Sequence, residues 1–336
     1  MLIASLGEST DVVSTIRYVT YTGDRGDWRK EATSAPSLLT KCCHDMDLLL
    51  WLLCSPPPGS SEEPHLPSKI SSTGGLLYFR RDRKPKEAGS ATNCLACDFE
   101  PQCKFSSKKI YITSLDPGLA GGNTEWPVDV VVPDIEECLR VGGKELGEKA
   151  ILDRLTEDYD ASTSTTEIES RPWFGRCVYE SDNDVCDHQS VTLTFDHDPR
   201  KIGKNGKIAT LNMVALTKKV CERYTIFSGT EGEISADSTS ITVYEFASGK
   251  ETIYQPHVAD GGHGAGDGGL ARQFVLAIDQ IKNHGQSIEE AQREHIACSI
   301  EEVIRSHAAV FAAEEARKLG DINFQTWWMD NIEGIM

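Results

Sequence analysis

The longest amphipathic pattern in the chain covers residues 35–53, APSLLTKCCHDMDLLLWLL. Apolar residues recur there at helical spacing, which predicts a buried stripe made of Leu38, Cys42, Met46, Leu49 and Leu53. A second stripe at the same spacing holds Thr40 or Lys41, His44, Asp47 and Trp51. Pro36 suits the first helical turn and Ser34 is placed to cap it. A histidine in such a helix is more often a buried structural side chain than a catalyst, so a catalytic role for His44 depends on the residues around it.

The second half of the chain contains short runs of β-branched and aromatic residues separated by turn sequences such as GKNGK and SGTEG. This pattern predicts an antiparallel meander with strands at 191–195, 208–216, 223–227, 232–236, 241–246 and 251–254. Helical spacing then returns at 270–283 and 288–318, with a capping box formed by Ser287 and Glu290. The expected fold class is α+β, an open and mainly antiparallel sheet with helices packed on one face.

The first half alternates between candidate elements and loops. The composition predicts strands at 11–21, 108–114 and 126–132, a short helix that begins after Asp134, and further helix at 143–158. Clusters of Pro, Gly, Ser or charged residues predict loop insertions near 55–75, 80–107 and 156–172. We therefore expect one α/β domain over residues 11–336, preceded at 1–10 by the end of another unit.

Composition narrows the class of protein. The chain has 336 residues, of which 39% are apolar, and its 34 basic and 52 acidic residues give a net charge of −18. Such a charge repels a phosphate backbone or an anionic membrane surface, so nucleic acid is not an expected partner. No apolar run is long enough to cross a bilayer, and the N-terminus does not resemble a signal peptide. Eleven cysteines, several of them in apolar segments, argue against a disulfide framework, and a cytoplasmic location is expected.

Three cysteines raise the question of a metal. Cys94 and Cys97 form a CxxC pair and Cys103 follows six positions later. Zinc prefers four ligands in a tetrahedral array, and a fourth would have to come from another part of the chain. Packed thiols in a tight loop are the more frequent outcome for such a spacing, and zinc is the alternative.

Three polar segments could bind a ligand. The loop that leads to the first helix contains Trp28 and Arg29, and DNDVCDH at 182–188 contains Asp184 and His188. The glycine-rich segment GGHGAGDGG adds His263 and Asp267. Asn, Asp and Gly also favour turns for purely local reasons, so each segment has a structural interpretation beside the functional one. The sequence holds no strand–GxGxxG–helix unit and no GxxxxGK[ST] loop, so it predicts no dinucleotide or P-loop site.

The run SLLTKCCHDMDLLLWLL at 37–53, preceded by RGDWR, resembles the C-terminal domain of the glucose–fructose oxidoreductase / inositol dehydrogenase (Gfo/Idh/MocA) family. Similar stretches follow in the family's order, at CLACDFEPQC, FGRCVYESDNDVCDHQSV, SGTEGEI and GHGAGDGGLARQFVLAI. Members of that family join an N-terminal Rossmann domain, which binds NAD(P), to a C-terminal domain with an open, mainly antiparallel sheet that usually supports oligomers. They transfer hydride between a sugar or polyol carbon and the nicotinamide.

The resemblance implies roles for particular residues. His44 matches the family's catalytic histidine, and a neutral imidazole can accept a hydroxyl proton as hydride leaves the same carbon. Thr40 stands where many members have an aspartate, so that aspartate's role does not carry over; Lys41 beside it is a second catalytic candidate. The expected substrate-binding residues are Asp47, Arg29, Trp28, Asp184, His188, His263 and Asp267. The resemblance assigns no cofactor-binding residue in this chain.

The family's Rossmann domain and its catalytic lysine have no counterpart in the sequence, and Met1 falls near the end of that domain. We therefore expect the substrate half of an NAD(P)-dependent sugar or polyol dehydrogenase, inactive in hydride transfer by itself and paired with a second copy through its sheet. One alternative is a non-catalytic sugar-binding or assembly subunit. Another is a truncated gene model of an intact dehydrogenase.

Overall fold

The computed structural model describes residues 9–17, 26–56, 63–197, 205–216, 222–237, 239–257 and 266–333. Within these ranges nine strands form one sheet in the order β8-β7-β6-β5-β1-β4-β3-β2-β9. The strands are β1 (Ser9–Arg17), β2 (Lys69–Gly75), β3 (His188–Phe195), β4 (Lys207–Val214), β5 (Glu222–Gly229), β6 (Gly232–Asp237), β7 (Ile241–Glu245), β8 (Glu251–Tyr254) and β9 (Ile322–Asn323).

The pairing is antiparallel except between β1 and β4, which run parallel. The predicted meander is therefore confirmed for β5 to β8, while β1 from the start of the chain inserts between β4 and β5. Val214 pairs with both Arg17 and His188, and Arg17 also pairs with Glu222. The carboxyl ends of β1 and β4 thus lie at the same end of the sheet as the amino ends of β3 and β5. We call this the α1 end of the sheet.

Eight α-helices accompany the sheet in the described ranges. They are α1 (Ser37–Cys54), α2 (Val128–Val131), α3 (Ile135–Leu155), α4 (Thr165–Glu169), α5 (Gly266–His284), α6 (Ile288–Ala291), α7 (Ile300–Leu319) and α8 (Phe324–Trp328). None of them combines the length and the apolar character needed to cross a membrane.

The main core lies between one face of the sheet and helices α1, α7 and α8. Every member of the predicted α1 stripe is buried, and this stripe packs with inward residues of the strands such as Leu193, Leu211 and Phe227. Burial alternates along β3 and β4, as expected when one face of a sheet is covered. The expected α+β architecture, with helices on one face, is confirmed. We call the side of the sheet opposite these helices the open face.

Residues 107–155 form a second core, and here two strand predictions are wrong. Residues 109–113 make a π-helical turn and α2 occupies most of 126–132. Their β-branched side chains do not pair in a sheet; Ile110, Val128 and their neighbours pack instead against α3. Tertiary packing here overrides a local β preference.

Several element boundaries also differ from expectation. Ser34 does not cap α1, whose N-cap is Pro36 with no side-chain cap bond. Residues 69–75, assigned to a loop insertion, form β2, because KISSTGG lacks the apolar alternation that marks a strand. The long helix expected at 288–318 breaks at Ala297, which has a positive φ of 56°, and α7 restarts with its own Ser299 capping box.

Candidate functional site

Helix α1 carries the predicted catalytic residues on the flank that does not face the core. His44 is exposed, and Lys41 and Asp47 are partly exposed. The Lys41 ammonium lies over the Trp28 ring, 4.7 Å from its centroid. This cation–π contact joins α1 to the loop before it and places an ammonium one turn from the imidazole. The structure therefore brings Lys41, Trp28 and His44 to one flank of α1.

An ion pair fixes this part of α1 to the sheet. Asp45 is buried and accepts a hydrogen bond of 2.6 Å from Arg223 Nε at the start of β5. Burial raises the pKa of the Asp45 carboxyl, and the arginine opposes that shift. Sequence reasoning gave Asp45 no role, because only the fold shows that Arg223 lies opposite it. The ion pair holds the turn that bears His44 at the α1 end of the sheet.

Arg29 is a structural residue in this fold, contrary to the predicted role in binding substrate. Its side chain is only 1% exposed and donates hydrogen bonds to Asp182 (2.7 Å), to the carbonyl of Gly26 (3.0 Å) and to the carbonyl of Ile168. These three acceptors occupy the guanidinium and leave it no surface for a ligand. Arg29 instead supports the loop that presents Trp28.

Asp184 has a similar supporting position. Its carboxylate accepts a hydrogen bond of 2.8 Å from the Glu31 backbone N–H and pairs with the Lys30 ammonium at 2.9 Å. Its own backbone N–H donates to the carbonyl of Arg29 at 3.0 Å. The segment around Asp184 is thus bound to the Trp28 loop, and its exposed half is the part left for a ligand.

His188 is oriented by a carboxylate that sequence reasoning missed. Asp187 is 2% exposed and accepts hydrogen bonds from the backbone N–H groups of Leu77, Tyr78 and Phe79 at 2.7–3.2 Å. It also lies 2.9 Å from His188 Nδ1. Because a carboxylate only accepts, Nδ1 carries the proton and Nε2 faces away from the pair.

The structure does not bring His188 together with His44. Burial alternates from Gln189 inward, so His188 lies on the open face, opposite the helices. Gln189 and Arg223 occupy one row of the sheet, three strands apart, which separates them by roughly 14 Å. The predicted site therefore divides into an α1 group on the covered side and an Asp187–His188 group on the open face.

Two predicted ligand-binding residues belong to the glycine-rich segment before and within α5. His263 lies outside the described residues, and Asp267 is exposed in the first turn of α5. In the part of the chain that the structure describes, no three His, Cys, Asp or Glu side chains are arranged to hold a metal ion. Cys94, Cys97 and Cys103 lie within that part, so the zinc prediction is not supported, and the thiols occupy a loop of short 3₁₀ turns.

The described residues do not fit a dinucleotide. A nicotinamide dinucleotide is usually held where a strand passes through a glycine-rich turn into a helix of a βαβ unit. In the described ranges the one parallel pair, β1 and β4, has two antiparallel strands between its members in the chain, and no such unit exists. The glycine-rich start of α5 places the Asp267 carboxylate in its first turn, where it repels phosphate.

No family model and no curated protein matches this sequence. Among solved structures, a levoglucosan dehydrogenase in complex with NADH is similar in fold, with a TM-score of 0.50 and 9% sequence identity. That match covers 96% of this chain and 60% of the dehydrogenase.

An NAD-binding oxidoreductase from Klebsiella pneumoniae matches with a TM-score of 0.49 and 10% identity, over 96% of this chain and 61% of that protein. An oxidoreductase domain protein from Kribbella flavida matches with a TM-score of 0.45 and 10% identity, over 94% and 59%. The chain thus spans about three fifths of the length of the structures it matches. The chain therefore shares the fold of the matched part of the levoglucosan dehydrogenase, and the resemblance to the C-terminal domain of the Gfo/Idh/MocA family is confirmed at the level of fold.

Proposed function

We propose that this chain is the substrate-binding half of an NAD(P)-dependent oxidoreductase that acts on a CH–OH group of a sugar or polyol. The observation that carries the proposal is the exposed imidazole of His44, which lies one turn from the Lys41–Trp28 pair on a helix that the half-buried Asp45–Arg223 ion pair attaches to the sheet. An exposed imidazole with a fixed backbone is the arrangement that a general base needs. The levoglucosan dehydrogenase of similar fold supports the carbohydrate class of substrate.

The α1 group suggests a division of roles. His44 accepts the proton of the hydroxyl that is oxidised, Lys41 donates hydrogen bonds to a neighbouring hydroxyl, and Trp28 offers an apolar ring edge to the C–H groups of the sugar. Asp47, one turn beyond His44, accepts from a further hydroxyl. The nicotinamide supplies the hydride acceptor, and in this proposal another domain or polypeptide holds it. By itself the described part of the chain is expected to bind substrate without oxidising it.

Calorimetric titration of the full chain with levoglucosan and with neutral polyols tests this proposal. We expect saturable binding that His44→Gln and Lys41→Met weaken by about tenfold or more, the equivalent of a lost hydrogen bond to a charged or strongly polar group. The matched control is His284→Gln, because His284 is an exposed imidazole near the end of α5. Absence of binding, or equal binding by His44→Gln and His284→Gln, would contradict the proposal.

A second candidate function is assembly through the open face. By the register of the sheet, the open-face side chains of β4, β5, β7 and β8 include four large apolar or aromatic residues that are 41–58% exposed: Ile208, Tyr224, Tyr244 and Ile253. Exposed apolar side chains of this size are more favourable when buried against a second copy of the chain than when exposed to water. Light scattering after size exclusion should give a dimer or larger assembly that Tyr224→Lys dissociates. A strict monomer at every concentration would refute assembly and leave the substrate proposal standing.

A further inference from the structure

A group of aromatic side chains lies at the α1 end of the sheet, separate from helix α1. Tyr78, Phe79, Phe105 and Tyr179 meet there with ring centroids 5.1–6.3 Å apart. Leu216, which follows the carboxyl end of β4, packs against the same group. Within it the two phenol oxygens lie 3.2 Å apart, with Tyr179 as the donor to Tyr78. Tyr179 is 4% exposed, whereas Tyr78 reaches the surface.

A lysine lies beside the two hydrogen-bonded tyrosines. The exposed Lys104 ammonium lies 5.2 Å from the centroid of Tyr78 and 5.0 Å from that of Phe105. The hydrogen bond with Tyr179, followed by the contact with Lys104, lowers the pKa of Tyr78, while burial raises the pKa of Tyr179. The Cys103 and Cys177 thiols also lie close enough to disfavour charge on Tyr179. Tyr78 is thus the phenol that ionises first, and it is the one that solvent and ligands can reach.

The same buried carboxylate fixes this tyrosine and His188. Asp187 accepts the Tyr78 backbone N–H at 2.7 Å and bonds the His188 imidazole at 2.9 Å. The backbone at Tyr78 and the imidazole of His188 are therefore both held by the Asp187 carboxylate. Most buried tyrosine pairs are structural only, but here one partner is accessible and a cation lies over its ring. An accessible phenol beside a cation has the access and the charged neighbour that proton transfer to a ligand needs.

We propose that Tyr78, supported by Tyr179 and Lys104, forms a second proton-transfer site that binds a hydroxyl or carbonyl oxygen of a neutral polyhydroxylated ligand. In the forward direction the ligand O–H bond breaks, its electron pair stays on the ligand oxygen, and the proton forms the Oη–H bond of Tyr78. In reverse the phenol donates that proton to a ligand oxygen. The Lys104 ammonium balances the phenolate charge. The ligand class rests on the function proposed above, whereas the ionisation of Tyr78 does not.

Ultraviolet titration of phenolate absorbance tests the ionisation. The full chain has nine tyrosines, and we expect one of them to ionise below the ordinary value of about 10. Tyr78→Phe should remove that step, and Tyr179→Phe and Lys104→Gln should each move it to higher pH. The matched controls are Tyr254→Phe and Lys108→Gln, because both residues are exposed on the surface. Lys104 is itself exposed, so its variant is expected to fold normally. An unchanged titration in Tyr78→Phe would overturn the inference.

Calorimetry with myo-inositol and levoglucosan as probes tests the ligand. We expect Tyr78→Phe to weaken binding by about tenfold, and more above the pH at which the early phenol ionises. Binding that equals that of Tyr254→Phe but still depends on His44 would overturn this inference and leave the proposed function intact. If the unmodified chain binds neither probe, the proposed function fails and the proposed ligand class fails with it.

Discussion

Replacement of Asp187 by alanine gives the sharpest test of how the open-face group is held. The buried carboxylate accepts three backbone N–H groups and the His188 imidazole, and alanine removes all four acceptor contacts. Water cannot readily replace them, because the residue is 2% exposed. A buried donor left without a partner costs about 1–3 kcal/mol. Since two of the three N–H groups are only partly buried, we expect a loss of about 3–5 kcal/mol.

Urea denaturation followed by circular dichroism measures this loss as a change in the free energy of unfolding. Asp187→Asn keeps one acceptor oxygen and should fall between wild type and alanine. Asp184→Ala is the matched control, because Asp184 also accepts a backbone N–H but is half exposed; it should cost about 1 kcal/mol or less. If Asp187→Ala cost no more unfolding free energy than Asp184→Ala, the buried Asp187 carboxylate would not be the anchor of this group.

Three further variants test other parts of the fold. Met46→Ala should cost about 2–5 kcal/mol of unfolding free energy, because Met46 is fully buried between α1 and the sheet. Asp45→Asn should reduce the pH dependence of the unfolding free energy. Burial raises the pKa of the Asp45 carboxyl in the folded protein, so the native state keeps a proton that the unfolded chain releases. The unfolding free energy of the unmodified chain therefore falls as pH rises from the unfolded to the folded pKa of Asp45. Gly175→Ala should lower the melting temperature strongly, because a Cβ would stand 1.7 Å from the Leu155 carbonyl oxygen; an unchanged melting temperature would contradict that geometry.

Most of the elements that enclose the main core could be predicted from the sequence. The α1 stripe and the strands β3 to β8 follow helical and alternating periodicities, which report burial on one side of an element. The periodicity predicted strands at residues 109–113 and 126–132 where the structure has helical turns, because a short apolar run fits a buried helical turn as well as a strand. β2 escaped it too, since its serines and glycines show no alternation although the strand lies between β3 and β9.

The candidate site was predictable only in part. His44 and Lys41 could be named because a helix places residues of known spacing on one flank. Asp187 and Tyr78 could not, since the contact between them joins segments more than a hundred residues apart and leaves no local pattern. Arg29 looked like a ligand-binding cation, and only the positions of Asp182 and Ile168 show that its guanidinium is occupied.

In the proposed function, the flank of α1 around His44 binds a hydroxylated substrate. Proton NMR of the imidazole C–H resonances tests it directly, because the chain has nine histidines and His44→Gln identifies the signal of interest. During titration with levoglucosan or myo-inositol, we expect the His44 resonance to shift saturably while the His284 resonance stays in place. A ligand that binds to saturation without moving the His44 resonance would contradict binding at this flank.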